Sequence, residues 1–432
     1  SDEIKINYVD FQKDVYHEEL INNFHFYYNP NPVNSIFSLR LEWGIGNYEN
    51  NKLSYAAELG GIIGSENYSF NELKEKLQKI GATLDIFSSG NYTGINIKGF
   101  DSYFNETMAI AGDFLRTMKV RKEDEKKLKK LIQSSIIGRK FESRESSAKG
   151  NALREYAIWG ESSDFLTRAT VKEVKKMNSK VLMDQIEDAM AVETSVFYVG
   201  NMDKETVKKS VQDNLIVNQT LRNSNSPFTW EKKLNKENTV FFYNDKKAVQ
   251  SQIYIIVDGE VMNLEERHRS NIFNKYFGGS MSGLVFQEIR EFRSLAYSAR
   301  GTYRRPYYFD RSGRFEGFIG TQADKTIDAI ETYINLLTDM PEKTNRIDGI
   351  KSGLLESLSS SKPGFRSISL SIRDWQKQGY DTDPRKTKKE VYDGADFDDI
   401  KSFYDNYIKD KPITITIVGN KDKIDMEKLS EY

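Results

Sequence analysis

The chain is written twice. Near Asn29 it runs HFYYNPNPVNSIFSLRLEWG, and near Asn244 it runs VFFYNDKKAVQSQIYIIVDG. Each segment reads as a strand, a polar turn and an alternating strand. Ser35 and Ser251 stand 216 residues apart, as do Trp159 and Trp375. VKEV at Val171 and KKEV at Lys388 are displaced by 217, and the closing strands SVFYVGN and ITITIVGN, at Gly200 and Gly419, by 219. A repeat that keeps its spacing along the whole chain favours tandem homologous units over one large core. The expectation is a first domain over 1–217, a second over 239–432, and a polar Asn/Ser-rich linker over 218–238 that carries Pro227.

Each half shows the same order of elements. Two strands come first, Phe24–Tyr28 with Ile36–Trp43 and Val240–Tyr243 with Gln252–Val257. A helix follows, then a charged helix running into a strand, a third strand, long helices and a last strand. Leu128, Leu131, Ile132, Ser135 and Ile136 keep helical spacing, as do Ile347, Ile350, Leu354 and Leu358. Hairpin strands with segregated helices predict an α+β fold: in each domain a mostly antiparallel sheet with helices packed on one face.

Composition narrows the chemistry. The 63 basic and 64 acidic residues leave a net charge of −1, with no basic excess for nucleic acid and no polybasic block for a membrane surface. No apolar run is long enough to span a bilayer. The absence of cysteine excludes disulfides, thiolate zinc and cysteine nucleophiles. His17, His25 and His268 are the only histidines, and no two share a helical metal spacing, so no metal site is expected within the chain. The polar start SDEIKINYVDF lacks a signal-peptide core and reads like the start of a fragment.

The densest polar constellation is Tyr276–Arg300, YFGGSMSGLVFQEIREFRSLAYSAR. A Gly-rich turn feeds a charged helix that runs into a strand, with Arg290 on the helix and Tyr297 seven residues later. One is a permanent fork of cationic donors, the other a phenol on a stiff stem, and a helix–strand corner can aim both at one point. The turn from Gly278 to Gly283 lacks the Lys-Ser/Thr end of a phosphate loop, and no Gly-x-Ser-x-Gly elbow exists. Read without further context, Arg290 would join a ladder with Glu288 or Glu291, and Tyr297 would be a core strand residue.

The run GGSMSGLVFQEIREFRSLAYS closely resembles a segment of the insulinase/pitrilysin family of zinc peptidases, the inverzincins. The repeat fits this resemblance, because these enzymes are built from tandem homologous domains. The family's catalytic half carries His-x-x-Glu-His on a helix, where two imidazoles hold zinc and the Glu activates water. The matching place here is LSYAAELGG: Tyr55 and Leu59 stand where the histidines would be, and only Glu58 keeps its identity. The third ligand's place falls at Ser135, within a stretch free of acids.

The resemblance therefore implies the non-zinc half of a metalloendopeptidase, inactive as an isolated chain, without catalytic residues or cofactor of its own. Zinc is expected in a homologous partner half, in the same longer chain or in a separate subunit. Arg290 and Tyr297 are the implied substrate-binding pair, contacting the backbone of unfolded peptides across a closing cleft. The alternative is a non-catalytic scaffold or peptide-binding relative. A bacterial periplasmic or envelope location is also implied.

Overall fold

The computed structural model describes residues 5–278, 282–291 and 296–432, without the side chains of Arg290 and Glu291. The strands of the first half are β1 Tyr16–Ile21, β2 Phe24–Pro30, β3 Ile36–Trp43, β4 Gly64–Ser65, β5 Thr83–Ser89, β6 Tyr92–Phe100, β7 Met118–Lys119 and β8 Thr194–Gly200. Those of the second are β9 Thr239–Asn244, β10 Gln250–Val261, β11 Ser298–Arg304, β12 Ser312–Gln322 and β13 Ile413–Gly419. One sheet is ordered β1-β2-β8-β3-β6-β5 and the other β11-β12-β10-β13-β9, with β4 and β7 forming a small separate ladder. Read from β9, the second sheet repeats the order of the first from β2 onward. The pairs β2–β8 and β9–β13 are parallel, and every other pair in both sheets is antiparallel.

The ladder corrects the register of the repeat. Asn29 faces Val199 as Tyr243 faces Val418, and Ser38 faces Val199 as Gln252 faces Val418. Asn31 and Asp245 open the two turns, their N–H groups donating to Gly200 and Gly419 at 3.0 and 2.9 Å. The equivalent of Asn29 is thus Tyr243, not Asn244, and that of Ser35 is not Ser251. Matching letters misalign the halves because pairing, not residue identity, fixes which side chain faces the core.

Alternation along the strands builds two cores. Phe37, Leu39, Leu41, Ile95, Ile97, Val196 and Tyr198 face the first half's helices, and Ile253, Ile255, Val257, Phe315 and Ile319 face those of the second. The opposite faces are covered too, each by a helix from the other half. Helix Ser146–Trp159 lays Ile158 on Tyr254, Ile256 and Phe318, and Tyr254 donates its hydroxyl to Asn151 at 2.8 Å. Helix Ile368–Gln378 lays Ile368 and Ile372 on Tyr27 and Phe197. Central strands buried on both faces explain why SVFYVG and IYIIV read as nearly continuous apolar runs.

Charges pair where the exchanged helices land. Glu42 of β3 and Glu316 of β12 are buried on the covered faces. Arg373 meets Glu42 at 2.8 Å, and Arg154 lies 3.6 Å from Glu316, which Arg304 and Arg314 also hold at 2.8 and 2.5 Å. A carboxylate taken out of water requires such partners. The segment 218–238 forms no helix or extended strand but is tied to both halves: Phe228 N–H donates to Asn91 at 2.8 Å, and Lys232 reaches the Gly313 carbonyl at 2.7 Å.

Candidate functional site

Helix Leu264–Phe277 is started by Asn263, whose side chain accepts the Glu266 N–H at 2.9 Å. It ends where Gly278 presses on β11: a Cβ there would stand 2.1 Å from the Gly301 carbonyl oxygen, so only glycine fits. Gly279, Ser280 and Met281 lie outside the described residues. Past them, Leu284, Val285 and Ile289 are fully buried and anchor a π-helical turn, Phe286–Glu291. The segment 343–346 braces this turn from outside, with Arg346 donating to the Ser282 carbonyl at 2.7 Å and Lys343 3.3 Å from Glu288.

Arg290 lies on that turn, and its side chain is outside the described residues. Tyr297 precedes the first residue of β11 rather than sitting inside the strand. Its N–H donates to the Gly320 carbonyl at 2.9 Å, which fixes its backbone to β12. The ring is 57% exposed, so Tyr297 is not a core residue. Its phenolic oxygen accepts a hydrogen bond from the Gln322 amide at 2.7 Å. With a lone pair occupied that way, the O–H proton remains available to an acceptor outside the sheet.

The first half presents the opposite case. Helix Leu53–Gly60 follows β3 and buries Tyr55 and Leu59 against the core. The Tyr55 hydroxyl lies 3.2 Å from Ser135 and accepts a hydrogen bond from Arg139 at 2.8 Å. Arg139 also donates to the Ala169 carbonyl. Of the three positions matched to zinc ligands, Tyr55 and Ser135 do meet, beside a guanidinium, and Leu59 is buried one turn along the helix from Tyr55. Leu59 offers no donor atom, and Arg139 brings a positive charge where a dication would sit. These residues do not fit zinc. Glu58 is exposed, and partial burial of its carboxyl raises its pKa with no cation beside it. No group of three metal-ligating side chains occurs among the described residues.

One pairing escapes sequence reasoning. His17 and His25 meet across the β1–β2 hairpin with ring nitrogens 3.2 Å apart, and Glu193 lies 3.6 Å from His25. Burial, and then the neighbouring imidazole, lower the pKa of His17. An eight-residue separation has no helical meaning, and only strand pairing brings these residues together. Between the halves lies a cleft of about 920 Å³, walled by Tyr48, Tyr92, Trp159 and Trp230 on one side and Arg305 and Tyr307 on the other.

The family model "Peptidase M16 inactive domain" matches residues 192–354, the stretch from β8 through the second sheet's first four strands and beyond the corner that holds Arg290 and Tyr297. Over that stretch the chain matches the inactive domain of the M16 peptidases. It is 22% identical over 325 residues to YmxG of Bacillus subtilis, described as an uncharacterized zinc protease, covering 74% of this chain and 75% of that one. An uncharacterized zinc protease of Rickettsia bellii is 31% identical over 127 residues, 29% of each chain. Among solved structures, an M16 inactive domain from Pseudomonas fluorescens superposes with a TM-score of 0.71 at 12% identity, over 94% of this chain and 98% of that one. The periplasmic protease PqqL from Escherichia coli gives 0.73 at 12% identity, covering 97% of this chain but 47% of PqqL. The chain thus spans about half the length of that protease, and it shares the fold of the solved M16 inactive domain.

Proposed function

We propose that this chain is the non-zinc half of an M16 metalloendopeptidase. It closes over unfolded peptides, and Arg290 and Tyr297 donate hydrogen bonds to the peptide backbone beside the scissile bond. A homologous half supplies the zinc, in the same longer chain or as a partner subunit, and the bacterial periplasm or envelope suits such an enzyme.

The observation that carries this reading is the state of Tyr297. An exposed phenol whose oxygen is already held by Gln322 is oriented to give its proton to an incoming carbonyl. As charge builds on that oxygen, donation from a phenol and a guanidinium strengthens, so both groups act most strongly in the transition state. The Tyr55–Ser135–Arg139 cluster, which offers no set of zinc ligands, supports a metal carried by the other half.

The test combines this chain with the zinc-bearing M16 half of the same source and follows cleavage of an unfolded peptide. Arg290→Ala should lower kcat by about 10²–10³ and Tyr297→Phe by somewhat less, each with little change in KM. Unchanged turnover in both variants would overturn the assignment.

A further inference from the structure

A second polar site lies behind the cleft, on the far side of Arg305 and Tyr307. It is a cavity of about 280 Å³ lined by Arg267, Arg305, Lys388, Gln378, Tyr380 and Trp375, among others, and no carboxylate lines it. Its cations come from three separate places: helix Leu264–Phe277, the β11–β12 connection and helix Arg385–Gly394. The acid whose charge acts on Lys388 is Asp383, and it is already engaged. Asp383, fully buried, binds Arg385 at 2.5 Å and accepts the Val9 N–H at 2.8 Å.

The donors here are not satisfied. Arg267 is 4% exposed; its terminal nitrogens donate to the carbonyls of Pro306, Tyr307 and Tyr308 at 2.6, 3.3 and 3.5 Å, while its Nε has no partner among the described residues. His268, fully buried beside it, spends Nε2 on Thr387 at 3.1 Å and leaves Nδ1 without a partner. Arg305 donates to the Arg267 carbonyl at 2.8 Å and makes no ion pair among the described residues. Burial, then the charge of Arg305, push Lys388 down to about 8. Burial, then Lys388, Arg305 and Arg267, push His268 down to about 3. Three cations that crowd one another around an empty volume, with a buried donor left over, lack a counter-ion.

We propose that this cavity binds a small phosphate-class oxyanion, either inorganic phosphate or a phosphate monoester. The Arg267 Nε–H, the remaining Arg305 N–H groups and the Lys388 ammonium can donate to the oxygens of a tetrahedral dianion, with the Tyr380 and Gln378 side chains in the same wall. The volume exceeds by far the roughly 30 Å³ that one water occupies. Trp375 and Tyr380 supply apolar wall for an organic remainder. The site shares Arg305, Pro306 and Tyr307 with the larger cleft, so a bound anion would steady the same connection that borders the cleft. This proposal is independent of the peptidase reading, because it uses none of the residues of the Arg290–Tyr297 corner.

The test is calorimetric titration of the full chain with inorganic phosphate and, separately, phenyl phosphate, at constant ionic strength set with sodium chloride. Saturable binding of one equivalent is expected. Tighter binding of phenyl phosphate identifies the monoester as the favoured source, and equal or weaker binding identifies inorganic phosphate. Lys388→Met and Arg305→Met should each weaken binding at least tenfold. Both keep the bonds from the Arg267 guanidinium to the β11–β12 connection, Arg305→Met giving up only its own bond to the Arg267 carbonyl, and unchanged circular dichroism verifies their folding. Side-chain NMR of the unmodified chain gives a second readout, in which phosphate should shift the Lys388 ammonium signal and raise its titration midpoint. No saturable binding of either probe, or equal affinity in both variants, would overturn the proposal.

Discussion

The helices that follow β3 and β10 occupy equivalent places in the two halves, and their polar groups are in opposite states. In Leu53–Gly60 the phenol of Tyr55 is closed within Ser135 and Arg139, and the guanidinium finds acceptors on both sides. In Leu264–Phe277, Arg267 and His268 keep unpartnered nitrogens beside a cavity whose lining has no carboxylate. The first half uses its polar groups on one another. The second has kept charge that its own residues do not neutralise. A buried polar group is informative chiefly through what it lacks.

The comparison can be sharpened by removing cations from paired and unpaired settings. The largest effect is expected at Arg373, which joins the exchanged helix to the buried Glu42. Arg373→Ala leaves that carboxylate with Arg40 alone, and urea denaturation should show a loss of about 3–5 kcal/mol. Lys388, in the unpaired cluster, should behave in the opposite way. Its pKa falls from the ordinary lysine value of about 10.4 to about 8 in the folded chain, so the unfolded chain binds the proton more tightly. Stability should rise with pH between those values, and the ammonium should cost stability at neutral pH. Lys388→Met should therefore stabilise the chain at pH 7 by on the order of 3 kcal/mol in phosphate-free buffer, a gain that vanishes above about pH 10. A loss of stability there would break the contrast.

The closed cluster predicts a smaller effect. Arg139→Met should cost about 1–3 kcal/mol, because the Tyr55 hydroxyl and the Ala169 carbonyl each lose a donor. Tyr297→Phe should change stability by less than about 0.5 kcal/mol, since the ring is exposed and only its bond to Gln322 is lost. A large stability change at Tyr297 would mark it as a structural residue and remove it from the proposed substrate contacts.

Much of the architecture was legible in the sequence. The strand Ile36–Trp43 has the expected bounds, and the α+β layering follows from hairpin strands and segregated helices. Leu128, Ile132 and Ile136 are buried as their spacing predicts. Three features were hidden for physical reasons. β1 reads YHEELI, an edge strand whose outward face is polar, so its alternation carries little apolar signal. Helix Ser146–Trp159 has an apolar face, but nothing in a helical period states which half's sheet that face will cover. The cationic cavity draws Arg267, Arg305 and Lys388 from segments far apart in the chain, and ordinary charge runs on helices give no hint that they converge. At the corner, the exposure of Tyr297 and its bond to Gln322 were not legible in the sequence.

The central claim is that this chain brings no zinc and completes a half that does. The direct measurement is peptide turnover by the zinc-bearing M16 half of the same source, alone and with stoichiometric amounts of this chain, with zinc content determined for each. The account predicts no stoichiometric zinc on this chain, no cleavage by it alone, and turnover that rises on mixing with the unmodified chain but far less with Arg290→Ala. One zinc per isolated chain, or a zinc-bearing half whose turnover is indifferent to its presence, would contradict it.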